Sequence, residues 1–456
     1  MPNRKKELKM TIFKGNDIRG IYGTELKDSD AYKVASAFVQ FTKSKNVVVG
    51  RDNRVSSPAL HKSLVKGLID SGANVIDIGL ADSPALYFAS HHFNLPAIMI
   101  TASHNPPSHN GFYLCSNNGA SIYSENGLKE IETLVNSNNP IIARKKGKVT
   151  EKNIFPQYIK HILSFVNLNE IKPLKIVIDA GNGMGARVSE EIYKNIPQIK
   201  VVKMFFNSDG SFPNRGPDTT IEENLEKLRK KVKQEKADLG LAFDGDADRL
   251  AVINEKGEII EGSLIGTLLV DHLLKNSKNK RVVYTIGCSQ IMRETIIKNK
   301  GKGFKERVGH SFVNARMIKE RALFGVEHTG HYFYQNNFQT ESPLITSLLI
   351  CNILSNSNKK ISKLITPYKK YYMTKEISFP TNNTSRTMEK IKSALSLKYN
   401  SPDTFDGLSI SSQNYWFRIR PSQTESKIRL VIEGKNHKLV DKVRNDLVKM
   451  IKSSIK

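Results

Sequence analysis

Short apolar runs alternate with polar loops and amphipathic stretches along most of the chain. Residues 47–50 form such a run and predict a strand. The helix predicted after it opens at Ser57 and has Pro58 at its first helical position. Its leucines fall on one face, at Leu60, Leu64 and Leu68. The pattern predicts a strand, a loop and an amphipathic helix in succession.

The same succession recurs twice further along. Residues 176–179 predict a strand that leads through a glycine-rich turn into a helix, and residues 282–284 lead to a helix around 291–297. Three such units predict three related α/β domains. A further helix is predicted from Thr220, with Glu223 completing a capping box.

A polar turn ends the apolar run at residues 95–100. That strand cannot continue through Thr101-Ala102-Ser103-His104-Asn105-Pro106, because proline lacks an N–H and the other polar residues favour turns. Ser103 is therefore expected to be exposed on a loop at a strand end, where α/β sheets place ligands. A hydroxyl held there can act as a nucleophile or carry a phosphate, although an ordinary polar turn would look the same.

A second apolar run, residues 238–243, ends in three aspartates at alternate positions. In extended chain, Asp244, Asp246 and Asp248 would point to one side and converge, where they would repel one another strongly. A divalent cation removes this repulsion, and an all-oxygen site that also holds phosphate suits Mg²⁺. Arg249 follows at once and can reach a phosphate oxygen beside the metal.

An EF-hand loop is the main alternative for this acidic segment, since Glu255 falls at the twelfth position counted from Asp244. It fails because Arg249 stands at the sixth position, where the sharp turn needs glycine, and because the flanks are strand-like. A solvated acidic turn is disfavoured because the segment lies between two apolar runs.

Two later segments carry groups suited to sugar and phosphate. Residues 325–331 offer a carboxylate, a hydroxyl and imidazoles, while residues 420–424 combine an arginine with two hydroxyls and backbone N–H groups. A zinc pair at His328 and His331 is disfavoured, because no cysteine or third histidine lies at ligand spacing.

Taken in order, the four segments resemble those of the α-D-phosphohexomutase family, in its phosphomannomutase and phosphoglucomutase branch. The resemblance extends over nearly the whole chain, from residues 13–20 through 50–52 and 212–214 to 420–424. Together with the repeated units it implies four domains around a central active-site cleft. These are three α/β domains at 1–150, 151–257 and 258–370 and a C-terminal α+β domain at 371–456.

The resemblance implies a role for each motif. Ser103 would carry the phosphoryl group as a phosphoserine and would bind the metal together with Asp244, Asp246 and Asp248. The sugar-binding residues would be Glu327, Thr329, Gly330 and His331. The phosphate-binding residues would be Arg420, Ser422, Gln423 and Thr424. The remaining residues lining the site would be Arg19, His104, Arg249 and His310.

The reaction implied is the interconversion of hexose 1-phosphate and hexose 6-phosphate, for mannose and/or glucose. Phosphoserine 103 would transfer its phosphoryl group to a free hexose hydroxyl, with one Mg²⁺, Arg19 and Arg249 stabilising the charge. The resulting hexose 1,6-bisphosphate, which is also the expected activator, would turn over and rephosphorylate the serine. A domain that closes over the cleft is expected, because water would hydrolyse an open phosphoserine.

Two positions depart from the family pattern. Tyr113 stands where a lysine is usual, and Gly287 stands where a second lysine is usual. One positioned acid or base contributes about 10²–10⁴ in rate, so activity is expected to be reduced unless a nearby lysine substitutes. Smaller departures are Thr329, Gln423 and Ser426.

Composition fits this interpretation. The 456 residues, 39% of them hydrophobic, suit three or four domains, and the three cysteines are scattered. The formal charge of +26 suggests nucleic acid, but the lysines are spread over amphipathic helices without aromatic interleaving. We expect a cytoplasmic monomer or weak dimer that binds hexose phosphates, with no nucleic acid and no membrane partner.

Two other functions stay open. An aspartyl-nucleophile phosphotransferase or phosphatase also uses closely spaced aspartates with Mg²⁺, and Asp244 or Asp246 would then carry the phosphate. A weakly active or non-catalytic sugar-phosphate-binding protein on the same scaffold is the other, because both lysines are absent.

Overall fold

The structure is a computed structural model that describes residues 12–399, 401–422 and 426–455. The chain divides into two compact units. The first comprises the chain up to Ile259 together with Gly330–Asn358, and the second comprises Ile260–Thr329 and the chain from Lys359 onward. No helix within the described residues is long and apolar enough to span a membrane.

The N-terminal part of the first unit is built around a mixed sheet. Its strands are β1 (Ile18–Ile21), β2 (Asn46–Arg51), β3 (Asn74–Leu80), β4 (Ala97–Ile100), β5 (His109–Cys115) and β6 (Val149–Glu151). Its helices are α1 (Asp28–Thr42), α2 (Ser57–Asp70), α3 (Ser83–Phe93) and α4 (Leu128–Asn136). The strand order is β1-β5-β4-β2-β3-β6, with β5 antiparallel to both of its neighbours.

Helix α2 shows how the sequence directs this part of the fold. Pro58 lies in its first turn, where the missing N–H leaves no hydrogen bond unmade. The three leucines predicted on one face are all fully buried, and each contributes about 1.5–3 kcal/mol by leaving water. At Gly67 an added Cβ would lie 2.6 Å from the Tyr32 carbonyl oxygen, so only glycine allows this close packing of α1 and α2.

A second sheet follows in the same unit. The elements are α5 (Phe155–Leu163), β7 (Leu174–Asp179), α6 (Gly185–Lys194), β8 (Ile199–Met204), α7 (Glu222–Gln234), β9 (Leu239–Phe243), β10 (Leu250–Asn254) and β11 (Ile259–Ile260). The order is β10-β9-β7-β8, with β10 antiparallel to β9. Antiparallel strands on both sides of the acidic segment confirm that it is not an EF-hand.

The predicted capping box at Thr220 is wrong. Helix α7 begins at Glu222 without a side-chain cap. The N–H and hydroxyl of Thr220 instead both donate to Oδ1 of Asp218, at 2.8 and 2.7 Å. Asp218 therefore holds Thr220 in a local turn ahead of the helix.

The next elements begin the second unit. They are α8 (Gly262–Lys275), β12 (Arg281–Thr285), α9 (Gln290–Lys298), β13 (Lys302–Glu306), α10 (His310–Glu320) and β14 (Phe324–Glu327). The chain then returns to the first unit with β15 (His331–Tyr334), β16 (Thr340–Glu341) and α11 (Pro343–Asn356).

The three sheets share one arrangement of parallel strands. In each, the first strand lies between the second and the third: β2 between β3 and β4, β7 between β8 and β9, and β12 between β13 and β14. The prediction of three related α/β units is confirmed by this shared order.

The C-terminal part of the second unit is α+β, as predicted. It comprises α12 (Ile361–Ile365), β17 (Tyr372–Met373), β18 (Ile377–Pro380), α13 (Thr384–Lys398), β19 (Leu408–Ser411), β20 (Tyr415–Pro421), β21 (Lys427–Gly434) and α14 (His437–Ile455). The strands pair antiparallel, and their apolar face packs with α13 and α14 in one core. Short 3₁₀ turns lie at Asn117–Gly119, Leu168–Glu170, Gln335–Asn337 and Thr366–Tyr368.

Candidate functional site

The serine loop follows β4 and is folded tightly. Ser103 has φ = 47°, a left-handed conformation that an L-residue adopts only when its surroundings impose it. Its N–H donates to the Thr101 hydroxyl at 2.9 Å. The serine is only 2% exposed, so the expectation of an exposed residue is wrong. The acidic loop packs over it, and a Cβ on Gly245 would lie 2.5 Å from the Ser103 carbonyl oxygen.

A buried guanidinium holds this loop in place. Arg54 is 1% exposed and pairs with Asp52 through Nε at 3.1 Å. Its remaining N–H groups donate to four backbone carbonyl oxygens, those of Ser103 (2.8 Å), Asn105 (2.7 Å), Pro106 (2.7 Å) and His109 (3.0 Å). Arg54 was not predicted as a site residue, although it follows closely after the end of β2, where α/β sheets place ligands.

The three aspartates lie in a turn between β9 and β10, not in extended chain as expected. Ala247 has φ = 57°, and this left-handed residue turns the chain so that the side chains converge. All three are buried, and carboxylate oxygens from each lie within 4.8 Å of one another. Oδ1 of Asp244 accepts from the backbone N–H groups of Asp248 and Arg249, at 3.0 and 3.1 Å.

The structure brings the serine and the aspartates together. The Ser103 hydroxyl donates to Oδ2 of Asp244 at 3.0 Å and lies 3.2 Å from Nδ1 of His104. Oδ2 of Asp246 accepts from the hydroxyls of Ser83 and Thr101, at 2.5 and 3.1 Å. Neither of these two hydroxyls was predicted, because they lie 163 and 145 residues away in sequence.

The donor set fits a hard divalent cation. Burial raises the pKa of Asp244 well above its usual value, and the charges of Asp248 and Asp246 raise it further, so three ionised carboxylates need a compensating charge. Oδ1 of Asp246 is buried without a hydrogen-bond partner among the described residues. An oxygen in that position is suited to a metal. The acidic cluster can therefore hold a metal ion, as predicted.

Positive and neutral groups surround this cluster in the same unit. Arg19 donates to the Asn105 side chain at 2.6 Å, and Arg249 donates from Nε to Nε2 of His331 at 3.3 Å. The protein around His104 desolvates its ring and, with Arg249 and Arg19, lowers its pKa well below the usual value. His104 is therefore a neutral imidazole beside the serine hydroxyl.

The predicted sugar-binding segment is divided between the two units. Glu327 ends β14 and is buried, and Thr329 is the last residue of this part of the second unit. Gly330 and His331 belong to the first unit. Gly330 has φ = 103°, and its carbonyl oxygen accepts from the Leu250 N–H at 3.1 Å, which places it directly after the acidic loop.

The remaining predicted residues lie in the second unit. His310 begins α10, after Gly309 with φ = 140°. Arg420, near the end of β20, has Nη2 3.5 Å from the Glu376 carboxylate. The N–H of Ser422 donates to the Lys427 carbonyl oxygen at 2.8 Å. Gln423 and Thr424 lie outside the described residues.

Tyr113, which replaces a family lysine, is part of the protein interior. It is 5% exposed, its hydroxyl bonds to that of Ser121, and its ring packs against Tyr87 with centroids 5.3 Å apart. Burial raises its pKa well above the usual value. Tyr113 is therefore a poor substitute for a cationic or titrating lysine at neutral pH.

Comparisons with known proteins identify the family of this chain. Residues 10–141, 156–257 and 261–371 match domains I, II and III of the family described as phosphoglucomutase/phosphomannomutase, alpha/beta/alpha. A phosphomannomutase of Vibrio cholerae is 34% identical, covering 97% of this chain and 98% of that protein. A phosphoglucomutase of Neisseria gonorrhoeae is 32% identical, covering 97% of each.

A solved structure is also similar over nearly the full length. The crystal structure of a phosphoglucomutase/phosphomannomutase family protein from Burkholderia thailandensis has a TM-score of 0.89 and 28% identity, and the match covers 97% of both chains. The chain belongs to the phosphoglucomutase/phosphomannomutase family of phosphohexomutase enzymes.

Proposed function

We propose that this protein interconverts hexose 1-phosphate and hexose 6-phosphate, of mannose and/or glucose, through a phosphoserine at Ser103. The observation that carries the proposal is the hydrogen bond from the Ser103 hydroxyl to Asp244, in a buried loop held by Arg54. A hydroxyl in a strained and water-poor position beside three carboxylates is arranged for chemistry. The family relatives named phosphomannomutase and phosphoglucomutase support the same reaction.

One Mg²⁺ would be held by Asp244, Asp246 and Asp248, and by the phosphorylated Ser103. When bound, it would neutralise the negative charge of the transferring phosphoryl group. Arg19 and Arg249, whose side chains lie beside the serine loop and the acidic loop, would hold phosphate oxygens.

Phosphoryl transfer would proceed in two reversible steps. A hexose hydroxyl attacks phosphorus, its O–P bond forms as the Ser103 Oγ–P bond breaks, and the hydroxyl proton passes to a base. The hexose 1,6-bisphosphate then turns over and returns its other phosphoryl group to Ser103. The same bisphosphate would act as activator by phosphorylating a serine that has lost its phosphate.

Recognition of the hexose phosphate would use the second group of residues. Glu327, Thr329, Gly330 and His331 would bind sugar hydroxyls, and His310 would line the site. The dianionic phosphate that does not react would be bound by Arg420, Ser422, Gln423 and Thr424. The support is chemical: Glu327 is a buried carboxylate at a strand end, and Arg420 is a half-buried guanidinium at another.

The aspartyl-nucleophile alternative is less well supported. Both oxygens of Asp244 accept hydrogen bonds, and one oxygen of Asp246 accepts two from hydroxyls. Hydrogen bonds to a carboxylate stabilise its charge and make it a weaker nucleophile. A peptide map of the phosphorylated protein separates the alternatives, because phosphoserine and an acyl phosphate differ in their stability to alkali.

We further propose that the protein acts in the cytoplasm as a monomer or weak dimer, without nucleic acid or membrane. All three cysteines are unpaired and buried, as suits a reducing compartment.

The test follows mannose 1-phosphate and glucose 1-phosphate by phosphorus NMR, with Mg²⁺ and a trace of the 1,6-bisphosphate. Wild type should form the 6-phosphates, and Ser103→Ala should abolish conversion. Ser108→Ala is the matched control, because Ser108 is an exposed serine in the same loop. Full conversion by Ser103→Ala would overturn the phosphoserine mechanism. Absence of conversion by wild type would favour the non-catalytic alternative.

A further inference from the structure

The two oxygens of the Asp246 carboxylate are in different environments. Oδ2 accepts two hydrogen bonds, from the hydroxyls of Ser83 at 2.5 Å and Thr101 at 3.1 Å. Oδ1 is buried and has no hydrogen-bond partner within the described part of the chain. A buried carboxylate oxygen without a partner is costly, because it has lost water and has gained no donor in its place. Oδ1 is therefore the oxygen of Asp246 that is suited to a metal ion.

Asp244 provides a comparison within the same loop. Both of its carboxylate oxygens accept hydrogen bonds, Oδ1 from the backbone N–H groups of Asp248 and Arg249 and Oδ2 from the Ser103 hydroxyl. At Asp246, by contrast, both donors are side-chain hydroxyls and both lie on the same oxygen. The two hydroxyls thus determine which oxygen of Asp246 is engaged and which one is left for a ligand.

Ser83 is fixed in place by the start of helix α3. The preceding residue, Asp82, caps the helix by accepting from the Ala85 N–H at 2.6 Å. The Ser83 N–H donates to the Asp246 carbonyl oxygen at 3.1 Å, while its hydroxyl donates to the carboxylate of the same residue. Ser83 is buried, so water does not compete for these bonds. One residue of α3 therefore holds both the backbone and the side chain of Asp246.

Thr101 connects the acidic loop with the serine loop. It is buried and follows β4 directly. Its hydroxyl accepts from the Ser103 N–H at 2.9 Å and donates to Oδ2 of Asp246 at 3.1 Å. A hydroxyl that accepts one hydrogen bond still has its own proton to donate, so both bonds form at once. Thr101 therefore links the Asp246 carboxylate to the backbone of the residue proposed to carry phosphate.

We propose that Ser83 and Thr101 are positioning residues for the metal ion, whose hydroxyls hold Oδ2 of Asp246 and so present Oδ1 to the ion. The inference rests on the Mg²⁺ site of the proposed function and adds two residues that do not themselves bind the ion. Rotation of a carboxylate about its terminal bond is soft, so without these donors the side chain would sample other orientations. Groups that orient a metal ligand in this way typically contribute about 10- to 10²-fold to metal affinity.

The first experiment measures Mn²⁺ binding to the whole protein by electron paramagnetic resonance, which detects free Mn²⁺, a cation that also suits oxygen ligands. Ser83→Ala and Thr101→Val should each weaken binding about 10-fold, and the double variant about 10²-fold. Asp246→Asn should weaken binding at least as much as the double variant, because it removes the charge of the ligand itself. A double variant that binds Mn²⁺ as tightly as wild type would overturn the inference.

Thr101→Ser separates the effect of the hydroxyl from that of packing. It keeps the hydroxyl and loses the methyl group, whereas Thr101→Val keeps the volume and loses the hydroxyl. Thr101→Ser should therefore bind Mn²⁺ about as tightly as wild type. If it binds as weakly as Thr101→Val, packing is responsible and the role of the Thr101 hydroxyl is overturned.

Ser90→Ala is the control for the loss of a buried hydroxyl. Ser90 lies on the same helix as Ser83, and its hydroxyl donates to the Leu95 carbonyl oxygen at 2.7 Å. The substitution should leave Mn²⁺ binding unchanged. An equal loss of affinity in Ser90→Ala and Ser83→Ala would overturn the role of the Ser83 hydroxyl, because any buried hydroxyl of α3 would then have the same effect.

The second experiment measures the Mg²⁺ concentration that gives half-maximal conversion of glucose 1-phosphate. This concentration should rise about 10-fold in Ser83→Ala and stay at the wild-type value in Ser90→Ala. A lower rate at every Mg²⁺ concentration, without a change in this midpoint, would overturn the positioning role. A wild type that binds no Mn²⁺ overturns the proposed metal site itself, whereas a wild type that binds Mn²⁺ no more tightly than the double variant overturns only this inference.

Discussion

The serine and acidic loops of the first unit differ from the segments proposed to bind sugar and phosphate in how firmly their polar side chains are held. Ser103, Asp244 and Asp246 are each no more than 2% exposed and are bonded to one another or to neighbouring hydroxyls. Thr329 and Arg420 are half-buried, and the Arg420 guanidinium has a carboxylate 3.5 Å away. The groups proposed to react are thus preorganised. Glu327 and His331 are also buried, so within the segments proposed for recognition it is Thr329 and Arg420 that are more accessible to solvent and ligand.

This difference follows from what each region has to do. Charge stabilisation in a transition state depends on dipoles and charges that do not reorganise during the reaction. Such a region tolerates strain, as in the left-handed backbone of Ser103, and repulsion between buried carboxylates. A segment proposed to accept a hexose phosphate in two orientations benefits from accessible, adaptable groups such as Thr329 and Arg420. Substitutions in the first region should therefore affect stability and rate together, whereas those in the second should affect mainly binding.

The largest expected effect is that of Asp244→Asn. Mutase activity should fall at least about 10³-fold, because a charge that positions the reacting phosphoryl group is lost. The metal-free protein should become more stable by about 1–3 kcal/mol, because one buried repelling charge is removed. Thermal unfolding is measured once with Mg²⁺ and once with a chelator, which compares the metal-bound with the metal-free protein. Mg²⁺ should raise the Tm of wild type more than that of the variant.

Asp441→Asn is the control for this prediction, since Asp441 is a carboxylate on α14 whose side chain is 48% exposed. It should leave activity and the Mg²⁺ response unchanged. A wild-type Tm that does not respond to Mg²⁺ would contradict the assignment of the acidic cluster as a metal site.

The second largest effect is expected for Arg54→Lys, which keeps the positive charge but loses the planar guanidinium and its several N–H donors. Several carbonyl oxygens of the serine loop would lose their donor, and urea denaturation should show a loss of about 3–5 kcal/mol in the free energy of unfolding. Displacement of Ser103 should also lower kcat by about 10²-fold. Arg144→Lys, an exposed arginine of the same unit, should change neither quantity. A wild-type kcat in Arg54→Lys would show that the hydrogen bonds from Arg54 to the serine loop support only folding.

The smallest effect is expected for Arg420→Ala in the second region. KM for hexose phosphates should rise about 10- to 10²-fold with kcat nearly unchanged, because one charge-assisted contact to phosphate is worth about 1.5–3 kcal/mol. The free energy of unfolding should change by no more than about 0.5 kcal/mol.

Arg429→Ala is a matched control, since Arg429 contacts the same Glu376 carboxylate at 2.9 Å. A fall in kcat as large as that for Arg54→Lys would break the contrast between the two regions.

Much of the fold follows from the local pattern of apolar and polar residues. The strand at 95–100 is observed as Ala97–Ile100, and the run at 238–243 as Leu239–Phe243, because both are apolar and bounded by turn-forming residues. The serine and aspartates were identifiable because each group follows such a strand directly. The capping box failed for the opposite reason, since a neighbouring aspartate competed for the Thr220 hydroxyl.

Long-range contacts could not be predicted in this way. Arg54 reaches the Ser103 carbonyl across 49 residues, and Ser83 reaches Asp246 across 163. The convergence of the aspartates depends on the left-handed backbone conformation of Ala247, and alanine as a residue type does not predict that conformation. The His328 ring lies where a Cβ on residue 287 would be, 2.4 Å from its nearest atoms, and this contact likewise depends on the pairing of β12 with β14.

The sequence by itself determined the class of fold, the family and the chemical groups available for phosphoryl transfer, because strand periodicity and residue type act over a few neighbouring positions. Only the tertiary structure decided that Ser103 is buried, that Arg54 holds its loop, and that an imidazole occupies the space beside Gly287. These features depend on which strand ends are adjacent and on how much room remains between them, and packing settles both through contacts between residues far apart in the chain.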